Sequence, residues 1–182
     1  MYELHKSMVY NLALHYVHNS EDAEEITQDV FVKIFQKINQ FQNQSELKTW
    51  IYRITINQSL DYIKARKSKK RWAFFKSADI DSIEQNALGD FNHPGVALEQ
   101  KHAIAHIFKQ MERLPENQKT ALILLKIEQM NQNEAAAIMK LSAKAVESLF
   151  QRAKKNLLAL LNQNEESWSI YRLKKQWTKR IS

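Results

Sequence analysis

The sequence predicts an all-α protein: two small helical domains joined by a flexible linker, the second a four-helix domain ending in a helix-turn-helix. Three observations lead there. Glycine and proline number 2 each in 182 residues, far below the ~7% and ~5% of ordinary chains, so a turn-rich β-sandwich or barrel is excluded. Apolar residues recur three and four apart along most of the chain, which is the helical period. Gly89, Gly95 and Pro94 all fall in residues 73–97, among the scattered acids Asp79, Asp81, Glu84 and Asp90. That is the composition of a linker. It separates residues 1–72 from residues 98–161, with a basic and aromatic tail over 162–182.

Composition also excludes whole classes of chemistry. Two glycines cannot build a dinucleotide fingerprint or a phosphate-binding P-loop. Without cysteine there is no disulfide framework, no thiolate zinc site and no thiol nucleophile. The 27 Lys and Arg outnumber the 20 Asp and Glu, giving a formal charge of +7 that suits a polyanionic partner. No segment approaches the ~18 uninterrupted apolar residues of a membrane span. The start, Met1 to Lys6, lacks the apolar core of a signal peptide. The expectation is a cytoplasmic protein with no membrane insertion.

The elements follow in order. Leu4, Met8, Leu12 and Tyr16 mark one face of a first helix. Asn19-Ser20, followed by Glu21-Asp22-Ala23-Glu24-Glu25, reads as a capped start, because carboxylates meet the unpaired N–H groups of the first turn. The apolar face of this second helix continues through Ile26, Val30, Ile34 and Ile38, leaving Glu25, Gln28, Asp29 and Lys33 on the other side. Gln40 to Gln44 is a polar break that holds Phe41. Ser45 is placed to cap the next helix, which carries Leu47, Trp50, Ile51, Ile54, Ile56, Leu60 and Ile63. That helix runs into Lys64-Ala65-Arg66-Lys67-Ser68-Lys69-Lys70-Arg71, six cations in eight residues.

After the linker, Leu98 to Leu114 gives one helix, and Pro115 is expected at the first position of another. Asn131 and Glu134 form a capping-box pair for a short helix over Gln132–Met139. Leu141-Ser142 turns the chain into a long helix from about Ala143 to Leu161.

The last two helices carry the strongest local signal. Ala136 and Val146 stand ten apart, as a small contact residue and an apolar docking residue in a helix-turn-helix do. Val146, Leu149, Phe150, Ala153 and Leu157 share one face of the last helix; Lys144, Glu147, Ser148, Gln151, Arg152 and Lys155 line the other. Gln and Lys can reach base edges, Glu suits a cytosine amino group, and Arg and Lys hold phosphates. The same pattern is compatible with an ordinary helical hairpin that has a solvated face.

Trp50 and Tyr52 beside Arg53, Asn57, Asp61 and Lys64, followed by the basic run, suit single-stranded nucleic acid. Core packing of the tryptophan and a solvated helix end are the plainer readings. Solvation alone also accounts for Glu25, Gln28 and Asp29. His102 and His106, four apart, and His15 and His18, three apart, lack the further ligands a zinc site needs. Neither a metal, nor a cofactor, nor a catalytic constellation is expected. A stand-alone helix-turn-helix regulator explains residues 98–161 but gives the Trp50 helix no purpose.

In order and spacing the parts resemble a bacterial sigma factor of the sigma-70 family, extracytoplasmic-function (ECF) group. Glu21 to Phe31 is similar to the family's acidic helix. Leu47-Lys48-Thr49-Trp50-Ile51-Tyr52-Arg53-Ile54-Thr55-Ile56-Asn57, continuing to Asp61 and Arg66, resembles its aromatic helix. Leu114-Pro115-Glu116-Asn117-Gln118 resembles the opening of its last domain. Asn133-Glu134-Ala135-Ala136 and Val146 to Ala153 resemble its helix-turn-helix segments. Lys140 stands where the family usually has glycine.

This resemblance, over residues 4–161, implies core RNA polymerase and promoter DNA as partners, and an anti-sigma factor as a third. It implies that Asp22, Glu25, Gln28, Asp29 and Lys33 bind the polymerase. Phe41, Lys48, Asn57, Asp61, Lys64 and Arg66 would contact the minus-ten element. Lys144, Glu147, Ser148, Gln151, Arg152 and Lys155 would contact the minus-thirty-five element. It also implies that the chain itself makes and breaks no bond.

Overall fold

The computed structural model describes residues 1–41, 46–76 and 98–162, and every regular element among them is helical. They form two units, each described by itself: three helices in the first and four in the second.

In the first unit, α1 (Tyr2–Val17) ends on His18, whose φ of 55° lets its N–H return to the Leu14 carbonyl at 2.9 Å. Asn19 then caps α2 (Ser20–Lys37), accepting from the Asp22 N–H at 2.8 Å. A single 3₁₀ turn, Ile38–Gln40, leads to Phe41. The proposed cap Ser45 lies outside the described residues. Helix α3 (Leu47–Lys76) packs on both α1 and α2.

Val9, Leu12, Tyr16, Ile26, Val30, Ile34 and Ile51 are buried at the centre of this unit. Buried hydroxyls intrude without cost because each returns to a carbonyl one turn back. Thr27 donates to Ala23 at 2.7 Å, Thr55 to Ile51 at 2.9 Å, and Ser59 to Thr55 at 2.8 Å.

The basic run does not end α3, which continues to Lys76. Residues 73–76, assigned by composition to the linker, are therefore helical. Residues 77–97 of that linker, and the tail beyond 162, lie outside the described residues.

In the second unit, α4 (Leu98–Met111), α5 (Glu116–Leu122) and α6 (Gln132–Met139) all pack on α7 (Ala143–Asn162). Pro115 is the N-cap of α5, one position before the expected one. Between α5 and α6 the backbone widens into a π turn over Ile123–Ile127, closed by Glu128 N–H on the Ile123 carbonyl at 2.9 Å. Periodicity had given no sign of this turn. The Asn131–Glu134 capping box forms as expected: the Asn131 side chain accepts from the Glu134 N–H at 3.0 Å, and the Asn131 N–H donates to the Glu134 carboxylate at 2.8 Å. Val146, Phe150, Ala153, Leu157 and Leu161 are the buried spine of α7.

Candidate polymerase and nucleic-acid interfaces

Helices α2 and α3 run antiparallel, and a ladder of polar side chains joins them. Arg66 forms an ion pair with Asp22. The Tyr62 hydroxyl donates to Asp22 at 2.7 Å and to Glu25 at 3.3 Å. One helical turn further, Gln58 donates to Asp29 at 2.7 Å and accepts from Lys33. Burial, and then the Asp22 and Glu25 carboxylates, push the Tyr62 phenol well above its ordinary value, so it remains a proton donor.

Four of the five residues proposed for polymerase binding, Asp22, Glu25, Asp29 and Lys33, thus also hold α3. Gln28 takes no part in the ladder and is exposed. Sequence reasoning missed Gln58 and Tyr62. Their signal was the four-residue spacing of Gln58, Tyr62 and Arg66 set against Asp29, Glu25 and Asp22.

The outward face of α2 carries a second feature that sequence reasoning passed over. Val32 and Phe35, 54% and 65% exposed, continue the line of Gln28 at helical spacing. Two large apolar side chains are thus left in water on the side of α2 that carries Gln28.

A different face of α3 carries Asn57, Asp61 and Lys64, all exposed and four and three residues apart. Arg66 is not among them, because it turns to Asp22 on the bracing face. Trp50 is only half-buried, which corrects the reading of it as a plain core residue. Its ring lies 5.2 Å from that of Phe41, tilted by 41°. Lys48 is exposed on the first turn of α3. Phe41, Trp50 and Lys48 therefore cluster at the end of α3 that begins after residues 42–45.

In the second unit, α6 and α7 form the expected helix-turn-helix. Lys140 takes the left-handed conformation at φ 55°, doing what a glycine would do there at some conformational cost. Ala136 and Val146 are both buried at the contact between the helices. Lys144, Gln151, Arg152 and Lys155 are exposed, while Glu147 and Ser148 are half-buried. Glu147 accepts from Gln132 of α6 and from Gln151, and Arg152 donates to Ser148 at 3.0 Å. No cluster of His, Asp or Glu suited to a metal ion occurs among the described residues.

The sequence matches the family models described as sigma-70 region 2, over residues 1–69, and sigma-70 region 4, over residues 107–157. The chain belongs to the sigma-70 family. Its relatives place it in the ECF group. It is 29% identical to the ECF RNA polymerase sigma factor SigM of Bacillus subtilis, over 89% of this chain and 93% of that protein. It is 27% identical to the RNA polymerase sigma-H factor of Pseudomonas aeruginosa, over 80% and 76% respectively.

The fold resembles that of the sigma factor RpoE of Bartonella quintana, solved with the anti-sigma factor NepR. The TM-score is 0.62 at 23% identity, over 88% of this chain and 94% of that one. The protein is thus an RNA polymerase sigma factor, a transcription initiation factor, and its family binds core polymerase and promoter DNA. A stand-alone helix-turn-helix regulator leaves the match over residues 1–69 without explanation. No described helix is long and apolar enough to cross a membrane.

Proposed function

We propose that this factor divides its work between residues 1–72, which dock core polymerase and open the minus-ten element, and residues 98–161, which read the minus-thirty-five element. Residues 73–76 prolong α3, residues 77–97 join the two parts, and the role of 162–182 is unassigned. The outward face of α2, with Gln28 at its centre and Asp22, Glu25, Asp29 and Lys33 beside it, is the polymerase contact. Phe41 and Lys48 flank a base flipped from the non-template strand, and Asn57, Asp61 and Lys64 follow the strand along α3. Arg66 joins them only when its pairing with Asp22 opens. On α7, Gln151 and Glu147 belong to base recognition, while Lys144, Ser148, Arg152 and Lys155 secure phosphates.

The observation that carries this reading is the separation of faces on α3. Asn57, Asp61 and Lys64 stand exposed on one side, while the residues that tie α3 to α2 occupy another. The factor works in the cytoplasm, where polymerase and chromosome are, and leaves the bond-making to the polymerase. Its likeness in fold to a sigma factor solved with the anti-sigma factor NepR supports an anti-sigma partner.

Two variants test the assignment. Gln28→Ala with Asp29→Arg should weaken core polymerase association at least tenfold, about 1.4 kcal/mol, because a cation replaces an acid facing the partner. The stability cost should stay near ~1 kcal/mol, since only the Gln58 link is lost. Asn57→Ala should bind core normally yet open promoters poorly, read by permanganate footprinting at the minus-ten region. Undiminished core affinity in the first, or normal melting in the second, removes the corresponding assignment.

A further inference from the structure

Glu147 occupies an ambiguous position on the reading helix. It lies between the buried spine of α7 and its exposed face, on the side toward the start of α6, and is half-buried where Gln151 is exposed. Each of its carboxylate oxygens accepts an amide N–H, one from Gln132, the first residue of α6, and one from Gln151, a turn further along α7. A carboxylate only accepts, so both amide groups must turn their nitrogens toward it. That removes the usual ambiguity in the orientation of a glutamine amide. The start of α6 also favours a carboxylate nearby, because the unpaired N–H groups there carry partial positive charge.

We infer that Glu147 is a positioning residue, held by Gln132, that fixes the Gln151 amide to select adenine at one base pair of the minus-thirty-five element. With one N–H given to Glu147, Gln151 keeps a second N–H and its carbonyl oxygen. Adenine presents in the major groove an acceptor, N7, beside a donor, the N6 amino group, and glutamine pairs with both. Guanine presents two acceptors there, so the Gln151 carbonyl would face another acceptor. Fixing the amide before DNA arrives removes rotamers that a free glutamine would lose on binding, and so sharpens the choice. Glu147 then reads no base itself, in contrast to the cytosine contact its residue type suggests.

This inference rests on the proposal that α7 reads the minus-thirty-five duplex, and the experiment separates the two. Full-length factor is assembled with core polymerase and given promoters randomised across the minus-thirty-five element, and transcripts are sequenced. Wild type should prefer adenine at one base pair by about tenfold, within the range of a bidentate contact. Gln151→Ala should flatten that preference. Glu147→Ala should flatten it at the same base pair, to threefold or less, and the double variant should add nothing. Gln132→Ala, which leaves both α7 residues in place, should give a smaller loss at that base pair.

Circular dichroism of each variant should match wild type. If Glu147→Ala changes preference at a different base pair, Glu147 reads DNA directly and the inference fails. If it changes none, the inference fails as well. If wild type itself ignores the minus-thirty-five sequence, the assignment of α7 falls before any variant is compared.

Discussion

Helices α3 and α7 each close a unit and each present an exposed polar stripe, yet different forces hold them in place. Helix α7 rests on a spine of buried apolar residues, Val146, Phe150, Ala153, Leu157 and Leu161, against three earlier helices. The side chains proposed to read DNA bond mostly to one another: Gln151 to Glu147, and Arg152 to Ser148. Helix α3 also buries apolar residues, but the ladder Asp29–Gln58, Asp22–Tyr62 and Asp22–Arg66 fixes its rotation against α2. The acids proposed to face the polymerase are the same acids that orient the helix proposed to face DNA. In the second unit fold and readout can be altered separately; in the first they are tied.

The largest effect should come from the spine. Phe150 is 6% exposed, with the Lys126 and Lys154 ammonium groups each 5.5 Å from its ring centre. Phe150→Ala should cost ~3–5 kcal/mol through lost burial and the cavity left behind. Arg152→Ala, two residues on but exposed, should stay within ~0.5 kcal/mol while weakening DNA binding. Hydrogen exchange on the full chain would report each unit by its own peptides. Loss of protection spreading equally to α1 and α2 would show that the effect is not confined to the second unit.

A smaller effect is expected from the ladder. Asp22→Ala takes the carboxylate from the Arg66 guanidinium and leaves the Tyr62 hydroxyl only its longer bond to Glu25, at ~1–2 kcal/mol. Asp22 is 19% exposed and Arg66 41%, so the ion pair alone contributes modestly and weakens with salt. The same variant should lower both core affinity and promoter opening, because it loosens both faces. Urea unfolding at low and high salt, beside a core-binding titration, checks it. Reduced core affinity with unchanged salt dependence would show that Asp22 serves the polymerase surface alone.

Much of this was legible in the sequence. Asn19 and the Asn131–Glu134 pair announced their helix starts because capping is local chemistry, settled within four residues. The buried faces of α2 and α7 followed from spacing alone. What stayed hidden depends on neighbours distant in sequence. Pairing Gln58 with Asp29 requires the rotation of α3 against α2, which no single helix encodes. Periodicity placed Trp50 on a face but could not give its depth, set by the partner ring Phe41. The run Lys64–Arg71 looked like an end of structure because charge suggests solvent, yet charge does not stop a helix. The π turn at Ile123–Ile127 left no mark in the apolar pattern, which the wider turn barely disturbs.

The smallest effect sharpens the contrast through pH, on the side of the apolar unit. His106 of α4 has a buried Nδ1 with no hydrogen-bond partner among the described residues. Its Nε2 lies 3.4 Å from the Gln110 amide nitrogen, and the Gln110 oxygen is taken by Arg113 at 3.1 Å. With that oxygen engaged, the amide N–H points at Nε2, which must accept it as a neutral imidazole. Protonation would set two donors face to face. Burial, and then the nearby Lys109 cation, hold the ring below its ordinary value.

The unfolded chain therefore binds this proton more readily than the folded one, so stability rises with pH across the window. The contribution is complete above the ordinary histidine value of ~6.5. It is lost as pH falls from there through the lowered folded value. Between pH 7.5 and 5.5 the α4–α7 peptides of wild type should lose hydrogen-exchange protection, after correction for the intrinsic rate. His106→Gln, which keeps an amide for Gln110 but cannot charge, should remove that part of the loss. An equal loss in the variant would move the pH response to another group and leave α4 without a titrating residue in its core.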